Sequence, residues 1–283
     1  DNYNTAVGFN SGGNITTGTL NTIVGASAGA ANTFVASAVT LLGYNAGNAV
    51  TSAGADGLTA IGKDACELVT SVAATAVGAN ALSSLISGSG NTAVGQDSLT
   101  ATTATSNTAV GTFSGLSNTS GTNNVFLGNS SGKFSTTGAQ NTFLGSAAGQ
   151  GITGTKLTGN NNVAVGYKSG LLLQGAATLN TFVGVDSGVA VTTGTHNTIL
   201  GAVAGDSLTT GTYNIAIGHN ALGNEQTGTN ATAVGVGALG TQRYDGDTHN
   251  TAIGHNALSA TSEGRLNTAV GSFAGDNQAT GSS

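Results

Sequence analysis

A glycine that returns at a short and nearly constant interval constrains this chain more than anything else in it. It stands at the centre of a motif close to Asn-Thr-Ala-Val-Gly-x-x-Ala-Gly, whose sixteen copies place it at Gly8, Gly25, Gly43, Gly62, Gly78, Gly95, Gly111, Gly128, Gly145, Gly166, Gly184, Gly201, Gly218, Gly235, Gly254 and Gly271. Eight of the fifteen intervals have the same length as that from Gly8 to Gly25, so the period is structural and its variation belongs to loops. A fixed short period marks stacked units that cannot bury a core alone.

The copies, read as columns, assign a physical task to each position. The residue before the glycine is always Val, Ile or Leu: Val7, Val24, Leu42, Ile61, Val77, Val94, Val110, Leu127, Leu144, Val165, Val183, Leu200, Ile217, Val234, Ile253 and Val270. This column predicts the core ladder. Three residues after the glycine stands Ala or Ser, as at Ser11, Ala28, Ala65, Ser131, Ala204 and Ala274, the small size a narrow interior demands. The next residue is Gly or Leu except at Cys66. Twelve copies carry Asn four before the glycine, as at Asn4, Asn91, Asn141 and Asn267, and stacked asparagines can bond one another along a ladder.

Alternation over four or five positions, bounded by Gly, Asn and Thr-Thr-Gly, is a strand signal. With 47 glycines in 283 residues, helix is disfavoured. Seventeen residues hold two short strands and two turns, so each copy predicts one coil of a flattened roll. Sixteen parallel coils at ~4.8 Å each predict a rod of roughly 75 Å. Ordering a coil costs ~1–2 kcal/mol per residue, while one buried Val returns only ~1.5–3 kcal/mol, so stacking supplies the difference. Residues 1–283 thus read as one all-β, parallel β-solenoid domain, expected to be part of a longer fibrous protein whose flanking domains or chains cover the open strand edges.

Two residues before the glycine the side chain is Ala in ten copies and Ile23, Leu41, Phe126, Phe143, Phe182 or Ile199 in the others. Neighbours in a strand face opposite ways, so with the aliphatic column inside, this column lies outside and predicts an oligomer interface. The bland alternative is a surface on which alanine is tolerated and the phenylalanines are scattered apolar residues.

Composition removes several function classes. Charged residues are 6% of the chain and the net charge is −6, which leaves no basic stripe for a phosphate backbone and argues against nucleic acid. Disorder would need low hydrophobicity with high charge, whereas 38% of residues are hydrophobic. No apolar run approaches the ~20 residues that span a bilayer, so no membrane insertion is expected. The single cysteine provides no disulfide framework.

Candidates for chemistry are scattered, and no enzyme, cofactor or metal is expected. His219 and His255 share a column two coils apart, too far to share a metal within one chain. Asp64 and Asp97 share another column at a spacing a glycosidase pair could use, without a sugar platform. Asp245-Gly246-Asp247 can open a calcium loop but lacks the closing glutamate, and a solvated turn is the plainer reading. Thr193/Thr195, Thr210/Thr212 and Thr227/Thr229 repeat as Thr-Gly-Thr, an array that an ice-binding solenoid would use if it were flat. Loops carry function on rigid scaffolds, so receptor contact is expected where the period breaks: at Lys156, and at Arg243, Tyr244, Asp245 and Asp247.

The columns resemble the head repeats of YadA-type trimeric autotransporter adhesins. They are closer still to the Asn-Thr-Ala-x-Gly-Tyr-x-Ala-Leu repeats of bacteriophage tail-fibre proteins, a form given almost letter for letter by Asn214 to Gly218 followed by His219, Asn220, Ala221 and Leu222. Thr-Thr-Gly-Thr-His-Asn at 192–197 and Thr-Thr-Gly-Thr-Tyr-Asn at 209–214 match the connecting stretch. The resemblance covers nearly the whole chain. It implies left-handed β-rolls assembled as a homotrimer on a virion or extracellular surface: a fibre spacer that contacts a cell-surface glycan or protein receptor, or alternatively a bacterial adhesin or filament subunit. Adhesin head repeats are usually shorter, and no stalk, anchor or chaperone motif accompanies these copies.

Overall fold

In the computed structural model, which describes residues 2–70, 72–243 and 246–276, a strand ends at the residue before every central glycine. The chain divides into two compact units, Asp1–Gln140 and Asn141–Ser283. The first contains β1 (Thr5–Val7), β2 (Thr22–Val24), β3 (Thr40–Leu42), β4 (Thr59–Ile61), β5 (Ala74–Val77), β6 (Asn91–Val94), β7 (Thr108–Val110) and β8 (Val125–Leu127). The second contains β9 (Thr142–Leu144), β10 (Val163–Val165), β11 (Thr181–Val183), β12 (Thr198–Leu200), β13 (Ile215–Ile217), β14 (Thr232–Val234), β15 (Thr251–Ile253) and β16 (Thr268–Val270). Within each unit every strand pairs in parallel with the next, and equivalent motif positions are partners, as in Thr5↔Thr22 and Thr198↔Ile215. The fold is therefore an all-β parallel solenoid with a ~17-residue repeat, one coil per copy.

Each coil has one regular strand among the described residues, where two were expected. The return path is built from left-handed residues: in the fifth coil Asn80 has φ 58° and Leu82 φ 53°, and in the twelfth Val203 has φ 50° and Gly205 φ 51°. Alternating positive φ bends the backbone too tightly for a second pleated strand. Its polar groups are still paired from coil to coil, for example Gly188 N–H to the Ala204 carbonyl at 3.0 Å and Gly205 N–H to the Ala221 carbonyl at 2.9 Å.

The inside and outside of the strand are the reverse of the sequence expectation. Ile23, Leu41, Phe126, Phe143, Phe182 and Ile199, read as an oligomer interface, are all 0% exposed and form the core. The supposed core ladder points outward: Val7, Leu42, Leu127, Leu200, Ile253 and Val270 are exposed, and Val24, Ile61, Val77, Val94, Val110, Leu144, Val165, Val183, Ile217 and Val234 are half-buried. The physical reason is the two-residue period of a strand, which puts the buried asparagines four before the glycine on the same face as the residue two before it. The opposite face carries the aliphatic residue together with the residue three before the glycine, which is Thr in thirteen copies.

The interior selects by fit. Where the inward strand residue is large, as at Ile23, Leu41, Phe126, Phe143, Phe182 and Ile199, the position four after the glycine is always Gly. Where that position is Leu, as at Leu82, Leu99, Leu222, Leu239 and Leu258, the strand residue is Ala. A Cβ added at Gly132 would lie 2.4 Å from the Phe126 ring, and one at Gly115, in the preceding coil, 2.6 Å from it. Phe126 and, likewise, Phe182 against Gly188 and Gly170 thus fill space left by glycine in their own coil and the preceding one, as close packing requires.

A second ladder runs beside this core. The Asn91 side-chain oxygen accepts the Asn107 N–H at 3.0 Å, and the Asn107 oxygen accepts that of Asn124 at 3.0 Å. In the second unit the chain is Asn141 to Asn162 (2.9 Å), Asn162 to Asn180 (3.2 Å), Asn180 to Asn197 (3.0 Å) and Asn197 to Asn214 (3.0 Å). Buried serines three after the glycine add a rung of their own: the hydroxyl of Ser114 donates to the Phe126 carbonyl at 2.8 Å and that of Ser187 to the Ile199 carbonyl at 3.1 Å. Pairing of this kind offsets the cost of burying amides and hydroxyls.

Candidate assembly face and contact loops

The outward side of each strand presents two side chains, one Thr and one aliphatic residue, at every rung of both units except three. The threonine column runs unbroken through Thr5, Thr22, Thr40, Thr59, Thr75, Thr92 and Thr108 in the first unit. Val125 on β8, Val163 on β10 and Ile215 on β13 replace it, so these rungs carry two outward aliphatic residues. Eight rungs at ~4.8 Å and three residues at ~3.3 Å make each unit's face roughly 380 Å².

The expected contact loops are on the surface but are not brought together. Lys156 lies after β9, and its side chain is exposed beside the buried Leu157, which bridges to Gly175. Arg243 lies after β14, exposed, its N–H bonded to the Ser262 carbonyl at 2.9 Å. Tyr244 and Asp245 lie outside the described residues. Asp247 is exposed and accepts hydrogen bonds from the Thr229 hydroxyl and from the Asn230 amide at 3.1 Å. The Thr229 bond in particular holds its carboxyl below the usual range, with Asn230 and nearby His249 adding to the effect.

The remaining candidates fall into ladders. Asp64 accepts the Asn45 amide at 3.2 Å and Asp97 the Asn80 amide at 2.8 Å, so Asn80 stands between the two carboxylates. Asp64 also pairs with Lys63 at 2.9 Å. His255 packs edge-on against Phe273 at 5.0 Å. No group of three His, Cys, Asp or Glu among the described residues is arranged to hold a metal. Cys66 is buried, and desolvation pushes its thiol up to about 12. The Thr-Gly-Thr units occupy turns, where the preceding Thr192 and Thr209 hydroxyls bond carbonyls of the next coil at 3.2 and 2.8 Å.

Two features escaped the sequence reading. Buried Glu225 accepts the N–H groups of Gln226 (2.9 Å), Thr227 (3.2 Å) and Gly228 (2.8 Å) on one oxygen and the Gln242 amide (2.9 Å) on the other. Gln242 in turn accepts the Asn250 amide at 2.9 Å. This network occupies the one stretch of the second unit where Ala231 interrupts the asparagine column, and that interruption was its sequence signal. The other feature is an exposed ridge on which His196 and Tyr213 stack at 4.6 Å, with Leu179 exposed one coil before. Comparison with protein families, curated proteins and solved structures found no match to this chain.

Proposed function

We propose that this chain is a rigid segment of an extracellular or virion-surface fibre, a left-handed roll that assembles as a homotrimer and spaces, or presents, contacts to a cell-surface glycan or protein receptor. The observation that carries the reading is the outward aliphatic ladder, which runs the length of each unit beside a threonine column. A surface that repeats at every coil is matched rung for rung only by a partner of the same axial period, and a second copy of the chain has that period. A globular partner would meet a few rungs and leave the rest wet. The repeat's resemblance to tail-fibre and adhesin heads points the same way. A bacterial surface adhesin or filament subunit would use the same assembly.

Sedimentation of the whole chain tests this: the expected species has three times the 27.1 kDa chain mass, and a single-chain mass at all concentrations would overturn the assembly. One competing reading has an observation of its own. Threonines in register on a parallel sheet form a regular array that could order water against ice, and the favoured array is this strand column rather than the Thr-Gly-Thr turns. A single-chain mass together with arrested growth of ice crystals would favour it.

A further inference from the structure

The outer face of the second unit is irregular in a way that can encode alignment. Of its eight rungs, six present Thr beside one aliphatic residue. The exceptions are β10, with Val163 and Val165, and β13, with Ile215 and Ile217. Val163 and Val165 are half-buried, and Ile215 is 39% exposed; Val163 and Ile215 stand in a column that is Thr at the other six rungs of this unit. Nothing inside the coil requires these substitutions, because Thr and Val have nearly the same shape and the side chains point away from the core.

We infer that Val163 and Ile215 are an axial registry key for self-association, a reading that rests on the homotrimer proposed above. Three chains around one axis run parallel, so equivalent rungs meet when the axial offset is zero. At zero offset each doubly aliphatic rung meets its own copies, and every threonine meets a threonine with which it can exchange a hydrogen bond. A slip of one rung places both doubly aliphatic rungs of this unit against threonines, and a slip of two leaves one match, Val163 against Val125 of β8, and otherwise sets them against threonines. Their hydroxyls are then removed from water without a partner, which is the costly outcome for a polar group. A slip of three rungs matches β13 with β10 at one site and mismatches the other. The aliphatic column cannot discriminate among these offsets, since it is present at every rung. Without a key, a periodic face associates in several registers, as strands with uniform faces do.

Cysteine cross-linking in the full chain tests the key, with Cys66 left in place because it is buried. Thr198→Cys on β12 and Thr232→Cys on β14 put thiols on the outer face two rungs apart. The key predicts that mild oxidation joins like variants to like and that a mixture of the two gives homodisulfides only. Adding Val163→Thr and Ile215→Thr, which restore the majority residue without touching the core, should raise mixed disulfides to their statistical share while sedimentation still shows the trimer. Mixed disulfides in the parent chain would overturn the key and leave the assembly standing. Homodisulfides that persist unchanged after Val163→Thr and Ile215→Thr would show that these residues do not set the register. A single-chain mass with no intermolecular disulfide would overturn the key and the assembly together.

Discussion

Replacing Phe182 tests which way the strand faces. Its side chain is 0% exposed, and its ring occupies the space a Cβ would take at Gly170 (2.8 Å) and at Gly188 (2.9 Å). Phe182→Ala should therefore cost about 3–5 kcal/mol, the range for a buried ring replaced by a cavity. Gly188→Leu alone should cost about 2–4 kcal/mol, from overpacking against the ring and from a left-handed backbone of φ 56°. The two changes together should cost about 2–3 kcal/mol less than their sum, because the new leucine enters the cavity. Native coils of the same unit already use that solution: Ala216 with Leu222, whose φ is also 56°, Ala233 with Leu239 and Ala252 with Leu258. Urea unfolding of the four chains, followed by circular dichroism, gives the cycle. An additive cycle would refute the complementary packing. A cost for Phe182→Ala of only about 0.5 kcal/mol, typical of a surface change, would return that column to the outside.

Gly201→Ala should lower stability by about 3 kcal/mol or more, since φ is 139° and the new Cβ would lie 2.6 Å from the Gly218 carbonyl oxygen; thermal melts report it. Asn197→Ala strands the Gly211 carbonyl and the Asn214 N–H in the interior and should cost about 3–5 kcal/mol by urea titration. Thr261→Val should be neutral or stabilising by about 1 kcal/mol, because the buried Thr261 hydroxyl has no protein partner and Val50, Val69 and Val191 occupy equivalent places in other coils. The thiol of Cys66, raised from 9.0 to about 12, should be inert to thiol reagents in the folded chain and reactive in denaturant. The sign follows: above pH 9 the unfolded chain loses this proton first, so Cys66 contributes stability below pH 9 that is lost progressively as pH rises towards 12, and melts across that window should show the loss reduced in Cys66→Ala.

The period, the strand positions, their register and the asparagine ladder were legible in the sequence because each follows from one repeated residue doing one task. The direction of the strand was misread because uniform hydrophobicity was equated with burial. In a coil this narrow, the buried column is the one whose size varies against a partner: Phe126 with Gly132, Ala76 with Leu82. The threonine column held the correcting signal, since Thr22 and Val24 share a face and a whole column of threonines does not belong inside. The return path was less legible, because leucine and valine at Leu82 and Val203 disguise left-handed positions that glycine or asparagine mark in other coils. The Glu225–Gln242 network was hidden because its members replace the ladder from a different column.

The proposed function rests on the outer face, and its most direct test is the mass of the chain in solution before and after that face is made polar. Sedimentation equilibrium should give three times 27.1 kDa for the natural sequence and a single chain when the outward aliphatic residues of both units, from Val7 and Val24 through to Val270, are replaced by Thr, with the circular dichroism of the solenoid retained. A natural chain that sediments at 27.1 kDa, or an assembly that survives those replacements, would contradict the account.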